Sequence, residues 1–140
     1  MFQKILVAYD GSAGAKRALD VAIELARAAH GEVWALGVEE RLPHYAATVS
    51  EMEEEKESAN HYYHEVLSAA YLSALKAGVE LKSEIRAGHA ARTIIDFTRE
   101  RGFDLVVLGS SGHSKVWAMF LGTTAEKVSR HVPCTVLIVR

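Results

Sequence analysis

Short stretches that are apolar at consecutive positions, each closing on a turn and followed by a pattern of helical period, constrain this chain more than anything else in it. The runs at 5–9 and 105–108 carry no polar alternation. A strand apolar on both sides has to be buried on both faces, which is the situation of a strand inside a parallel sheet covered by helices. The first run ends at Asp10-Gly11-Ser12 and the other at Gly109-Ser110-Ser111-Gly112. Further strands are expected at 33–38, at 79–86, where the residues alternate, and at 135–139.

Between these runs the apolar period changes from strand to helix. Ser12 is a suitable N-cap for a helix carrying Ala18, Val21, Ala22, Leu25, Ala26 and Ala29 on one face, and His30-Gly31 stops it. Residues 39–49 hold Pro43 and no period, so a loop is expected there. Ser50 with Glu53 reads as a capping box, and Glu51, Glu53, Glu54 and Glu55 suit a helix N-terminus. That helix is expected to reach Lys76 and end at Ala77-Gly78. Residues 89–101 form another helix stopped by Gly102, and 123–131 a last one, broken by Val132-Pro133. The order β-α-β-α-β-α-β-α-β predicts an α/β fold, a parallel sheet with helices on both faces. Its 140 residues fit one domain spanning 1–140, with no linker or internal repeat.

Composition narrows the classes of function. Sixteen Lys and Arg against 18 Asp and Glu leave a net charge of −2, which gives no basic footprint for nucleic acid. One cysteine allows no internal disulfide. No stretch approaches the roughly 18 uncharged apolar residues that span a bilayer, and the apolar run near the N-terminus is too short for a signal peptide. A cytoplasmic protein without membrane or nucleic-acid partners is expected.

In a doubly wound sheet, ligands bind beyond the carboxyl ends of the strands where the winding reverses. Two glycine-bearing loops fall at strand ends here, and they flank one crevice if the first and fourth strands are neighbours. Gly109 and Gly112 let backbone N–H groups approach an anion, Ser110, Ser111 and Ser114 add hydroxyls, and His113 and Lys115 can add positive charge. Gly122-Thr123-Thr124 opens the last helix, whose N-terminus favours anions. Asp10 repels phosphate, and two roles suit it: accepting hydrogen bonds from ribose hydroxyls, or holding a divalent cation that phosphates share. A Walker A loop is excluded by Ser114 and Val116, and no G-x-G-x-x-G follows the first strand.

Together these residues resemble the universal stress protein family. The first strand with Asp10-Gly11-Ser12 is similar to its N-terminal signature. Gly109, Gly112 and Gly122-Thr123 match the G-x2-G-x9-G-[S/T] motif of its ATP-binding branch, and Val132-Pro133-Cys134-Thr135-Val136 and onward looks like its last strand. The resemblance implies a three-layer α/β/α sandwich of the Rossmann-like, adenine-nucleotide α-hydrolase type, with five parallel strands ordered 3-2-1-4-5. It implies that Asp10 meets ribose or a bound metal, that the Val38 backbone holds adenine, and that Gly109 lies by the ribose and α-phosphate. Ser111 falls within the phosphate loop, and Gly112, His113, Gly122, Thr123 and Thr124 cradle the phosphates. ATP with Mg²⁺ or Mn²⁺, and a homodimer formed through the last strand, follow from the same likeness. Serine at 111 departs from the basic residue or histidine of many members, and residues 116–121 are bulky and apolar.

Several residues carry plainer readings. Asp10 before Gly-Ser can simply shape a turn. His61 and His64 read as surface histidines, Tyr62, Tyr63 and Tyr71 as packing or interface residues, and Cys134 as a small hydrophobe opening a buried strand. The function expected is that of an ATP-binding regulatory or stress-response protein with at most slow hydrolysis, because no general base is evident. Two alternatives are an adenylyl-transfer enzyme, which lacks its H-x-G-H element here, and an interaction protein that has lost nucleotide, which would lack a motif glycine.

Overall fold

Ile5, Leu6 and Val7 have no exposed surface at all, and the strand that carries them, β1 (Lys4–Ala8), lies at the centre of the sheet. The computed structural model describes residues 1–40, 48–110 and 122–140. Strand β1 pairs in parallel with β2 (Glu32–Glu39) on one side and β4 (Leu105–Gly109) on the other. Strands β3 (Leu81–Ala87) and β5 (Thr135–Val139) form the two edges, giving the order β3-β2-β1-β4-β5. The register places Leu6 opposite both Trp34 and Val106.

Successive residues of a strand point to opposite faces, so β1 divides its apolar residues between two cores. Ile5, Val7, Val33, Ala35 and Leu105 pack with α1 (Ala13–Ala29) and α2 (Val49–Lys76). Leu6, Leu36, Val106 and Leu108 pack with α3 (Ala90–Arg101) and α4 (Thr123–His131). The expected three-layer α/β/α sandwich and its strand order are therefore present. The unbroken apolar run at 5–9 records this two-sided burial.

Local chemistry sets the element ends. The Ser12 hydroxyl accepts the Ala15 N–H at 3.2 Å and starts α1, and His30 ends it in the left-handed region at φ 53°. Gly102, at φ 67°, ends α3. The start of α2 differs from the sequence expectation. Its capping box is Thr48 with Glu51, the Thr48 hydroxyl accepting the Glu51 N–H at 3.1 Å while Glu51 accepts the Thr48 N–H at 3.3 Å. Ser50 and Glu53 fit the same pattern but lie inside the helix. The earlier pair extends the helix by Val49 and Ser50.

Cys134 is half-buried against the α3–α4 core, and β5 is partly exposed because it is an edge strand. The expectation that Cys134 opens a buried strand is corrected accordingly. No helix among the described residues is long and apolar enough to cross a membrane.

Candidate nucleotide site

The sheet reverses its winding at β1, with β2 to one side and β4 to the other. The carboxyl ends of these strands open into a cleft of about 420 Å³. Asp10 and Ser12 reach it from the turn after β1, Gly109 and Ser110 from the end of β4, and Gly122, Thr123 and Thr124 from the start of α4. The Asp10-Gly11-Ser12 turn and the described start of the second glycine loop, Gly109 and Ser110, flank one crevice.

Backbone hydrogen bonds fix this arrangement. The Gly122 N–H donates to the Ser110 carbonyl at 2.8 Å, and the Ser110 N–H donates to the Val139 carbonyl at 3.0 Å. The N-cap of α4 is thereby held against the end of β4. Gly122 offers no side chain to cap the helix, and the first N–H groups of a helix have no partner within it. The donors of Thr123, Thr124 and Ala125 thus belong to a helix start that borders the cleft, with the positive end of the helix dipole behind them.

Gly109 has a structural reason to be glycine. A Cβ there would lie 3.0 Å from the backbone carbon and oxygen of Gly14, so β4 and the first turn of α1 approach each other through two bare residues. Gly14 also borders the cleft. Bare backbone at 109 suits phosphate access, and close packing of strand on helix is a second demand on the same position. At Gly11 a positive φ of 80° and the nearness of Tyr62 and Val66 both exclude a side chain.

Asp10 is exposed, and its Oδ1 accepts the Ser12 N–H at 2.9 Å. The turn-forming role is therefore real. A carboxylate has about four acceptor positions, so this bond leaves capacity for a ligand. On the α3 side, Ala8, Leu36, Val38, Ala90 and Ile94 give the cleft an apolar wall. Glu40 stands at its rim, accepting the Ala90 N–H at 3.3 Å.

Helix α2 closes the opposite side. The Tyr62 hydroxyl donates to the Asp10 carbonyl at 2.5 Å, and Asn60 donates to the buried Glu39 carboxylate at 2.9 Å. The Tyr63 ring lies on β2 so closely that a Cβ at Gly37 would be 2.5 Å from its Cδ1. Tyr9 and Tyr63 both line the cleft. Burial, then the nearby Asp10 carboxylate, push the Tyr63 phenol up to about 12, and the same two causes raise Tyr9. Both phenols stay protonated around neutral pH and can donate.

The universal stress protein family profile matches residues 1–140. The chain belongs to the universal stress protein family. Universal stress protein YxiE of Bacillus subtilis is 33% identical to it over 151 residues, covering 100% of both chains. Among solved structures, universal stress protein UspA from Lactobacillus plantarum superposes with a TM-score of 0.85 at 26% identity, covering 99% of this chain and 98% of that one. A universal stress protein solved in complex with cAMP superposes at 0.76 with 24% identity, covering 99% and 97%.

Within this universal stress protein domain, the cleft gathers six of the residues named from sequence: Asp10, Val38, Gly109, Gly122, Thr123 and Thr124. Ser111, Gly112 and His113 lie outside the described residues. Tyr9, Glu40 and Tyr63 were missed. Tyr9 was legible as the last residue of the first apolar run, next to Asp10. Tyr63 had no such signal, because its place depends on how α2 crosses the ends of β1 and β2. His61 is exposed and pairs with Glu65 at 3.0 Å. Among the described residues no group of three His, Cys, Asp or Glu side chains is arranged to hold a metal.

Proposed function

We propose that this universal stress protein binds ATP in the cleft at the ends of β1, β2 and β4, and that occupancy is read by a partner as a regulatory or stress-response signal. The observation that carries this reading is the convergence of the β4 end, the α4 N-terminus and Asp10 on one cleft, held by the Gly122–Ser110 hydrogen bond. The volume lies within the range of small-molecule sites, roughly 300–1,000 Å³. An apolar wall beside a row of backbone donors suits a ligand with an aromatic base at one end and an anion at the other.

In this reading Val38 presents backbone to adenine and Asp10 accepts from ribose hydroxyls. Gly109 lies by the ribose and α-phosphate, and Ser111, Gly112, His113, Gly122, Thr123 and Thr124 surround the phosphates. The described lining carries two carboxylates, Asp10 and Glu40, and no Lys, Arg or His. These two carboxylates add to the negative charge of a polyphosphate beside them, which a shared cation offsets. Mg²⁺ or Mn²⁺ shared between phosphate oxygens and Asp10 fills that role, since such ions are commonly held by one or two carboxylates plus substrate phosphates. Hydrolysis is slow at most in this reading, in which Asp10 is engaged by sugar or metal and Glu40 accepts the Ala90 N–H. A homodimer through the edge strand β5 and a cytoplasmic location complete the proposal.

The solved relative in complex with cAMP favours a second reading, in which a nucleotide monophosphate is the resident ligand. Mass spectrometry of nucleotide released from freshly purified, denatured protein separates the two. ATP supports the first reading and AMP or cAMP the second; an empty chain that binds none of them on addition removes both.

A further inference from the structure

Helix α2 is attached to the rest of the fold in two different ways. Its buried residues, Leu67, Ala70 and Ala74, all lie in the C-terminal half. Further towards its N-terminus, Asn60, Tyr62 and Tyr63 are held by the Glu39 carboxylate, the Asp10 carbonyl and the bare face of Gly37, at the ends of β1 and β2 beside the cleft. The rings of Tyr62 and Tyr63 meet edge to face with centroids 5.3 Å apart, so the bond from Tyr62 to Asp10 also fixes its neighbour. Tyr63 is half-buried and lines the cleft, and no hydrogen bond joins its hydroxyl to another described residue. Among the charged groups acting on that hydroxyl, the Asp10 carboxylate acts most strongly, ahead of Glu40 and Glu39.

We infer that Tyr63 is a sugar-reading residue of this site, its hydroxyl hydrogen-bonding a ribose hydroxyl of the bound nucleotide beside Asp10. The inference rests on the nucleotide reading proposed above. Its chemistry is complementary. An ionised carboxylate only accepts, and a protonated phenol both donates and accepts. Two vicinal ribose hydroxyls facing Asp10 and Tyr63 would each find a partner, whereas a deoxyribose would leave one protein group without its bond. A site built around a hydroxyl discriminates against the analogue that lacks it for this reason. The seat on Gly37 and the bond from Tyr62 hold the phenol in place before ligand arrives, which reduces the ordering cost of binding.

The test is calorimetric titration of the full chain with ATP, 2′-deoxy-ATP and 3′-deoxy-ATP in the presence of Mg²⁺, using wild type, Tyr63→Phe and, as a control away from the cleft, Tyr71→Phe. Phenylalanine keeps the ring on Gly37, and a thermal melt checks that the fold is retained. The expected result is that wild type prefers ATP to at least one deoxy analogue. Tyr63→Phe weakens ATP about three- to tenfold, as the loss of one hydrogen bond would, while that analogue is nearly unaffected. Tyr71→Phe behaves as wild type. Equal weakening of all three nucleotides by Tyr63→Phe, or no weakening, overturns the sugar role while leaving nucleotide binding intact. Failure of wild type to bind any of the three overturns both readings together.

Discussion

The Gly122 N–H and the Ser110 carbonyl meet at 2.8 Å, bringing the N-cap of α4 onto the residue that directly follows β4. The backbone of Gly122 is extended, at φ −61° and ψ 152°, a conformation open to any residue. Its lack of a side chain is therefore not demanded by the local backbone, and in the proposed function it leaves the anion path open. Gly122→Val should leave the far-UV circular dichroism close to wild type and cost about 1 kcal/mol of stability, valine being a poorer N-cap than glycine. It should weaken ATP binding by more than about tenfold, because the branched side chain enters the anion path. Retained affinity in a titration would remove this helix start from the site.

Gly109 should behave in the opposite manner. Its missing Cβ is required by the Gly14 backbone at 3.0 Å, and backbone yields less readily than a side-chain tip. Gly109→Ala is expected to destabilise the fold by about 1–3 kcal/mol, the usual cost of overpacking. Denaturant unfolding measures this; an unchanged midpoint would show that β4 and α1 can separate without loss.

Asp10 combines a turn role with a proposed ligand role, and one substitution separates them. Asn in place of Asp keeps a side-chain oxygen for the Ser12 N–H, now bonded at 2.9 Å, while removing the charge. Asp10→Asn should retain stability within about 0.5 kcal/mol, as surface changes commonly do. It should weaken MgATP roughly tenfold or more, in keeping with hydrogen bonds to charged groups. Unaltered binding of MgATP would return Asp10 to turn formation alone.

At the start of α2, Thr48→Ala should raise amide exchange in the first turns of the helix, since loss of a capping residue costs about 1 kcal/mol. Ser50→Ala should leave exchange near wild type, because Ser50 lies inside the helix and Thr48 holds the cap. Equal effects of the two would contradict the observed capping box.

What the sequence disclosed, and what it withheld, follows from the range of the interactions. Two-sided burial writes itself into consecutive residues, so Ile5, Leu6 and Val7 announced a central strand. Ser12, His30 and Gly102 act on their own helices, and each was legible as a cap or stop. The start of α2 was misplaced by two residues because Thr48 with Glu51 and Ser50 with Glu53 satisfy the same local pattern. Asp10, Gly109 and Gly122 could be named as site residues from strand-end logic and from the family motif. Tyr63 could not, since it reaches the cleft from a helix whose crossing of β2 no local spacing encodes. Gly14 was likewise silent: its importance lies in its approach to Gly109, 95 positions away.

Isothermal titration of the purified chain with ATP in excess Mg²⁺ tests the central claim most directly, with Gly122→Val titrated alongside. One saturable site per chain in wild type, lost or much weakened in the variant, is the predicted result. No saturable heat from wild type, together with a melting temperature indifferent to millimolar ATP, would contradict it.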